Sequence, residues 1–135
     1  MSHSDLQALI GRCPFQQWMG LALRSIEADG IHLMVPWRDE FLSSPEANSC
    51  HGGILASLLD AAGCYAVAAQ LGYSVPTVDM RVDYHRVAHP DALVAQAKRL
   101  KVGRTIASAE ARVFDADDRL IASGRMVYLC RKNSG

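Results

Sequence analysis

Two hydrophobic periods divide this chain. From Gly53 to Leu71 the residues are apolar or small on nearly every side of a helical wheel, with no proline and few β-branched residues. That pattern predicts one long helix wrapped by protein, with Gly72 as its terminator. After Pro76 the period changes to two. Val78, Met80, Val82 and Tyr84 alternate with Thr77, Asp79, Arg81, Asp83 and His85, which predicts a strand. Further strands are predicted over about 92–102, 104–114 and 120–129, with turns at Gly103 and at Asp115-Ala116-Asp117-Asp118. Ahead of the helix, 21–28 and 31–37 read as a hairpin about Asp29-Gly30. Ile31, Leu33, Val35 and Trp37 share one face of its second strand, and Pro36 marks a strand end or an edge. Arg38 to Cys50 is a polar loop by composition.

At the N-terminus, Ser4 or Asp5 can cap a short helix that ends near Gly11 and is broken by Cys13-Pro14-Phe15. Phe15, Trp18 and Met19 are expected to plug against the body. The order is two strands, one buried helix, then a meander of four strands. The predicted fold class is α+β, an antiparallel β-sheet wrapped around one long central helix. Residues 1–135 form one expected domain, with 1–19 as a helical extension.

Composition narrows the function. Fourteen basic residues balance fourteen acidic ones, so net charge gives no pull toward nucleic acid. Cys13, Cys50, Cys64 and Cys130 are scattered without a CxxC pair, which points to free thiols in a reducing compartment. The start Met1-Ser2-His3-Ser4-Asp5 has no basic region followed by an apolar run, so a cytoplasmic location is expected. Central Asp60, together with alanines and a glycine, makes 53–71 a poor spanning helix, and no membrane association is expected.

Asp60 is the chemical anomaly. It is the only formally charged residue between Gly52 and Val78, and its neighbours are small or apolar. A carboxylate there is costly to bury unless something pairs with it or uses it. Upstream, His51-Gly52-Gly53 opens the helix, where the backbone can turn tightly and helix polarity favours an anion. The segment offers an anion-stabilising turn and one acid. Other pairings are weaker: Cys50 and His51 point apart on an extended turn. His85 and His89 sit around a strand end followed by Pro90, so no metal site is expected. Lys98, Arg99, Lys101 and Arg104 form a basic cluster, with Arg86 at a strand end expected near it.

His-Gly-Gly at the helix start, an acid nine residues after the His, and Pro76-Thr77-Val78-Asp79-Met80-Arg81-Val82-Asp83-Tyr84 together resemble the hotdog-fold acyl-CoA thioesterases. Gly103-Arg104-Thr105 and Ile121-Ala122-Ser123-Gly124 add to the likeness, which spans about 21–129 and is nearest the PaaI-like branch of the 4-hydroxybenzoyl-CoA thioesterase superfamily. The resemblance implies hydrolysis of an aryl- or medium-chain acyl-CoA with no cofactor beyond the coenzyme A of the substrate. It assigns Asp60 as nucleophile or general base and a backbone N–H of His51-Gly52-Gly53 as oxyanion donor. Thr77 matches a Ser/Thr that orients water or the acid; Asn48, three residues before His51, stands for a loop Asn or Gln found in the family. Arg86, Lys101 and Arg104 are the expected holders of the coenzyme phosphates. Gly52 and Asp60 lie eight residues apart, about 12 Å at helical rise, so one carbonyl group cannot reach both on one chain. A homodimer is thus the expected minimum active unit, and a homotetramer the expected assembly. The competing readings are a non-catalytic acyl-CoA-binding hotdog protein and a hotdog hydratase or dehydratase.

Overall fold

The computed structural model describes residues 1–131. Helix α1 spans His3–Gly11 and helix α2 spans Pro14–Met19; strands β1 (Ala22–Ile26) and β2 (Gly30–Val35) form the hairpin. A single 3-10 turn, Asp39–Phe41, interrupts the following loop. Helix α3 runs Gly52–Leu71, and strands β3 (Thr77–Tyr84), β4 (Leu93–Val102), β5 (Ile106–Phe114) and β6 (Leu120–Leu129) complete the chain.

All strand pairs are antiparallel, in the order β1-β2-β4-β5-β6-β3. The expected four-strand meander is therefore corrected. Only β4, β5 and β6 meander, while β3 crosses over to pair with β6 and becomes an edge. Register shifts in β1, β3, β4 and at the end of β5 bend the sheet, as bulges do. The curled sheet closes on α3. Its inner face is lined by small residues: Ala95 and Ala97 on β4, Ala107, Ala109 and Ala111 on β5, and Ala122 on β6, all buried. Short side chains let the helix axis approach the sheet. Leu58, Leu59, Ala62 and Ala66 of the helix are fully buried against it. Although α3 is long and apolar enough to cross a bilayer, most of it is covered by the sheet.

Local signals explain the ends of α3. The His51 ring accepts from the Gly53 amide as N-cap, and Gly72 stops the helix at φ 89° in the left-handed region. At the N-terminus the cap is Ser2, whose Oγ accepts from Asp5 N at 3.1 Å, rather than Ser4 or Asp5. The break at Cys13-Pro14 is followed by a second helix, because proline at its first position needs no amide donor. Of the expected plug, Met19 is fully buried, but Phe15 and Trp18 remain exposed. Trp18 stacks on Phe15, meets Phe41 edge-on and carries the Arg38 guanidinium 4.7 Å above its ring. β2 stops at Val35, before Pro36, so Trp37 lies beyond the strand face expected for it.

Gly30 marks the tightest backbone approach in the hairpin. A Cβ there would collide with the Ala97 carbonyl oxygen and lie 2.8 Å from Lys98 Cα, and backbone of a central strand cannot step aside. Gly30→Ala is expected to cost about 3 kcal/mol of stability in a denaturant titration. Gly11→Ala is the control: nothing lies within 4 Å of its Cβ, and a shift within about 0.5 kcal/mol is expected.

Candidate active site

Asp60 faces the N-terminal end of β3. Thr77 Oγ1 donates to Asp60 Oδ1 at 2.7 Å, so the two residues the family likeness pairs are in contact. Tyr128, opposite Thr77 in the β3–β6 register, donates through Oη to the Asp60 backbone carbonyl at 2.8 Å and lies 3.4 Å from Oδ1. Among the described residues Asp60 Oδ2 has no hydrogen-bond partner. Asp60 is half-buried, which limits the desolvation cost of its charge. Tyr128 is fully buried, and its phenol is pushed well above the usual range, first by burial and next by the neighbouring Asp60 carboxylate.

The His51-Gly52-Gly53 turn lies at the other end of β3. His51 Nδ1 accepts from Gly53 N at 2.8 Å, and Tyr84 Oη donates to Gly52 O at 2.8 Å. The C=O and N–H of a single peptide unit, Gly52–Gly53, are thereby held from both sides. The Gly53 amide is occupied, whereas the Gly52 amide has no acceptor among the described residues. The aromatic ring of Tyr84 would be 3.3 Å from a Cβ at Gly52, so glycine leaves room for it. Beside this turn an open cleft of about 430 Å³ is lined by Ser49, Gly52, Leu55, Tyr84, Arg86 and Val87, among others.

The remaining expected site residues divide. Arg86 borders the Gly52 cleft, but Lys101 and Arg104 lie at the far end of the sheet, where β4 turns into β5 beside the Thr77 end of β3. In one chain these ends are separated by the length of β3, about 23 Å for seven strand steps. The expected proximity of Arg86 to the basic cluster is therefore corrected, because the two lie at opposite ends of the sheet, separated by the length of β3. Two members of the cluster are otherwise engaged: Lys98 pairs with Glu110, and Arg99 donates to the carbonyls of Ala66 and Ala28. Asn48 is exposed with φ 46°, and its carbonyl contacts His89 Nδ1 at 3.0 Å. His85 contacts Ser123 Oγ at 2.7 Å, so the two histidines look in different directions. Tyr84 and Tyr128 were invisible as site residues in the alternating pattern, where a strand tyrosine reads as packing.

This geometry has a family counterpart. The model described as the thioesterase superfamily matches residues 47–122, more than half of the chain. The chain belongs to the thioesterase superfamily. A crystal structure of a protein from this superfamily superposes with a TM-score of 0.93 at 49% identity, covering 96% of this chain and 98% of its own. The thioesterase relatives include a candidate esterase of Halobacterium salinarum, 32% identical over 80% of this chain and 78% of its own. The medium/long-chain acyl-CoA thioesterase YigI of Salmonella typhimurium is 28% identical over 86% of this chain and 84% of its own. The thioesterase hotdog is the fold described above, and thioester hydrolysis is the reaction class that goes with the family.

Neither Cys50 nor Cys64 is set up as a nucleophile. Burial pushes the Cys50 thiol up to about 11, and the Cys64 thiol likewise to about 11, where a bond to the Val75 carbonyl and the Asp60 charge act as smaller influences. Both thiols are neutral near pH 7 and inert as attacking groups. The folded state therefore holds protons that the unfolded chain releases from about pH 9 upward. Their contribution to stability is whole below that pH and is lost as pH rises toward about 11. Denaturant titrations between pH 8 and 11 are expected to show this decline, and Cys50→Ala with Cys64→Ala to flatten it.

Proposed function

We propose that this protein is an acyl-CoA thioesterase of the PaaI-like branch whose site is completed across a homodimer. The observation that carries this is the division of two unfinished half-sites between opposite ends of one unpaired edge strand. At the Thr77 end stands a carboxylate with one oxygen held and the other open; at the Tyr84 end stands an open helix N-terminal amide. β3 also exposes Val78 and Tyr84, at 58% and 55%, and presents a free row of backbone groups, which favours pairing with a second copy. Antiparallel β3–β3 pairing about a two-fold axis near Met80 and Arg81 would set Gly52 of one chain beside Asp60 of the partner subunit. The same operation would bring Arg86 toward Lys101 and Arg104 of the partner subunit, a suitable cradle for coenzyme phosphates.

In this reading the thioester oxygen accepts from the Gly52 amide as it gains negative charge, helped by the dipole of α3. Oδ2 of Asp60 takes a proton from water as the water oxygen bonds to the carbonyl carbon, or attacks that carbon itself to give a mixed anhydride that water then opens. Either route breaks the C–S bond, releases the coenzyme as its thiol and leaves the free acid. Thr77 keeps Oδ1 engaged so that Oδ2 faces the substrate. The resemblance to YigI supports a medium-chain aliphatic acyl group, and the PaaI-like likeness an aryl one.

The test is subunit complementation with a panel of aryl- and aliphatic-CoA esters, following free thiol. Asp60→Asn is expected to lower kcat/KM at least ~100-fold with the dimer intact. Gly52→Pro removes the amide proton at a first helical position that proline fits, His51 being already extended, while its Cβ requires the Tyr84 ring 3.3 Å away to give slightly. It is expected to lose ~100-fold in kcat. Co-assembling the two dead variants should restore activity, because each mixed dimer holds one site with Gly52 and Asp60 both native. No restoration in verified mixed dimers would sink the cross-subunit site. Tight acyl-CoA binding without hydrolysis by the wild type would replace the enzyme with a binding protein.

A further inference from the structure

The hydroxyl of Tyr128 touches the Asp60 residue twice, yet the sequence offers no reason for a polar group there. Tyr128 is the largest fully buried side chain in the protein. Its ring is accounted for by packing under α3, so a phenylalanine would serve the core equally well. The oxygen needs another reason. It lies where helix backbone and carboxylate meet: 2.8 Å from the Asp60 carbonyl and 3.4 Å from Oδ1. Room for it is made by Gly63, one helical turn on, since a Cβ at that position would run into Tyr128 Oη and come within 2.7 Å of Met126 Cε. Glycine is less favourable than alanine in a helix interior, so its presence there needs a reason. The hydroxyl and the glycine that admits it thus form a fitted pair at the turn carrying the acid.

We infer that Tyr128 is a positioning residue for Asp60: with Thr77, its cross-strand neighbour, it turns the carboxylate so that Oδ1 is engaged and Oδ2 is presented. The inference rests on the reading of Asp60 as the catalytic acid. Two hydroxyls from adjacent strands converge on one residue from the sheet side, Thr77 on the side chain and Tyr128 chiefly on the main chain. The bond to the carbonyl fixes the backbone from which the carboxylate projects. The 3.4 Å contact is long for an O–H···O bond, so Tyr128 holds the residue chiefly through the backbone carbonyl. Burial keeps the phenol protonated, and therefore a donor, throughout the working pH range. Tyr128 does not touch the substrate; it acts through Asp60.

Tyr128→Phe removes one oxygen and keeps the ring. Its kcat is expected to fall ~10-fold with KM within about twofold of wild type. Gly63→Ala should reproduce the loss by displacing the intact hydroxyl, which covers the case in which Tyr128→Phe fails to fold. In the Asp60→Asn background, adding Tyr128→Phe is expected to change the residual rate less than twofold, since both act through one group. The carboxyl-carbon NMR resonance of Asp60, independent of turnover, should move in Tyr128→Phe. A Tyr128→Phe protein with wild-type kcat and an unmoved Asp60 carboxyl resonance, even with a lowered Tm, would make the hydroxyl purely structural and overturn the inference. If Asp60→Asn itself keeps full activity, the reading of Asp60 fails instead, and the carboxyl resonance still decides whether Tyr128 acts on that group.

Discussion

Everything in this protein depends on how closely α3 lies to the sheet. Alanines at successive inner positions of β4, β5 and β6 leave shallow ground, and the helix settles into it with Leu58, Leu59 and Ala62 fully buried. A glycine sharpens the contact where alanine is too large: a Cβ on Gly63 of the helix would come within 2.7 Å of Met126 Cε on β6. Each large side chain removed from water in this layer contributes roughly 1.5–3 kcal/mol. The close approach is also why hydroxyls on strands β3 and β6 can reach helix atoms directly. A layer spaced by leucines would hold Thr77 and Tyr128 too far from Asp60 to bond to it.

The same packing governs electrostatics. Asp60 is the one charged residue of a mostly apolar helix, but it lies at the rim of the wrapped region, half-buried beside the exposed start of β3. The Thr77 hydroxyl offsets part of the cost of its charge, and the other side of the carboxylate is open. At the helix start the polarity is reversed. The positive end of the α3 dipole lies at Gly52, where one peptide is clamped by His51 and Tyr84 and the preceding amide is left open. One helix therefore presents a positive end and a negative side chain eight residues apart, with β3 running alongside both.

Much of this was legible before any coordinates. The unbroken apolar run located α3 within one residue, because burial on all sides leaves a distinctive composition. Alternation from Val78 to Tyr84 likewise located β3. Alternation reports which side chains share a face, however, and carries no information about which strand lies next to which. That is why β3 was expected beside β4 and is found beside β6, and why Arg86 was placed near Lys101 and Arg104. The contact of Asp60 with Thr77 was legible only through family resemblance, since the residues are 17 apart on different elements. Tyr128 was illegible for a different reason. A tyrosine among Met126 and Ile121 on an alternating strand has the same signature whether its hydroxyl is idle or engaged.

The edge position of β3 ties these observations to function. A strand that terminates a sheet is a liability unless it is covered, charged or paired. β3 carries Asp79, Arg81 and Asp83, yet Arg81 and Asp83 partly neutralise each other at 3.4 Å, and apolar Val78 and Tyr84 remain exposed near its ends. Such an edge protects poorly against a second strand of its own kind. Each end of that edge, in turn, touches one half of the proposed site: Thr77 bonds to Asp60, and Tyr84 bonds to the His51-Gly52-Gly53 turn. In the proposed dimer, pairing two such edges in antiparallel fashion would cover the exposed backbone and join unlike ends in one step. The energetic reason to associate and the chemical reason to associate would then lie in the same eight residues.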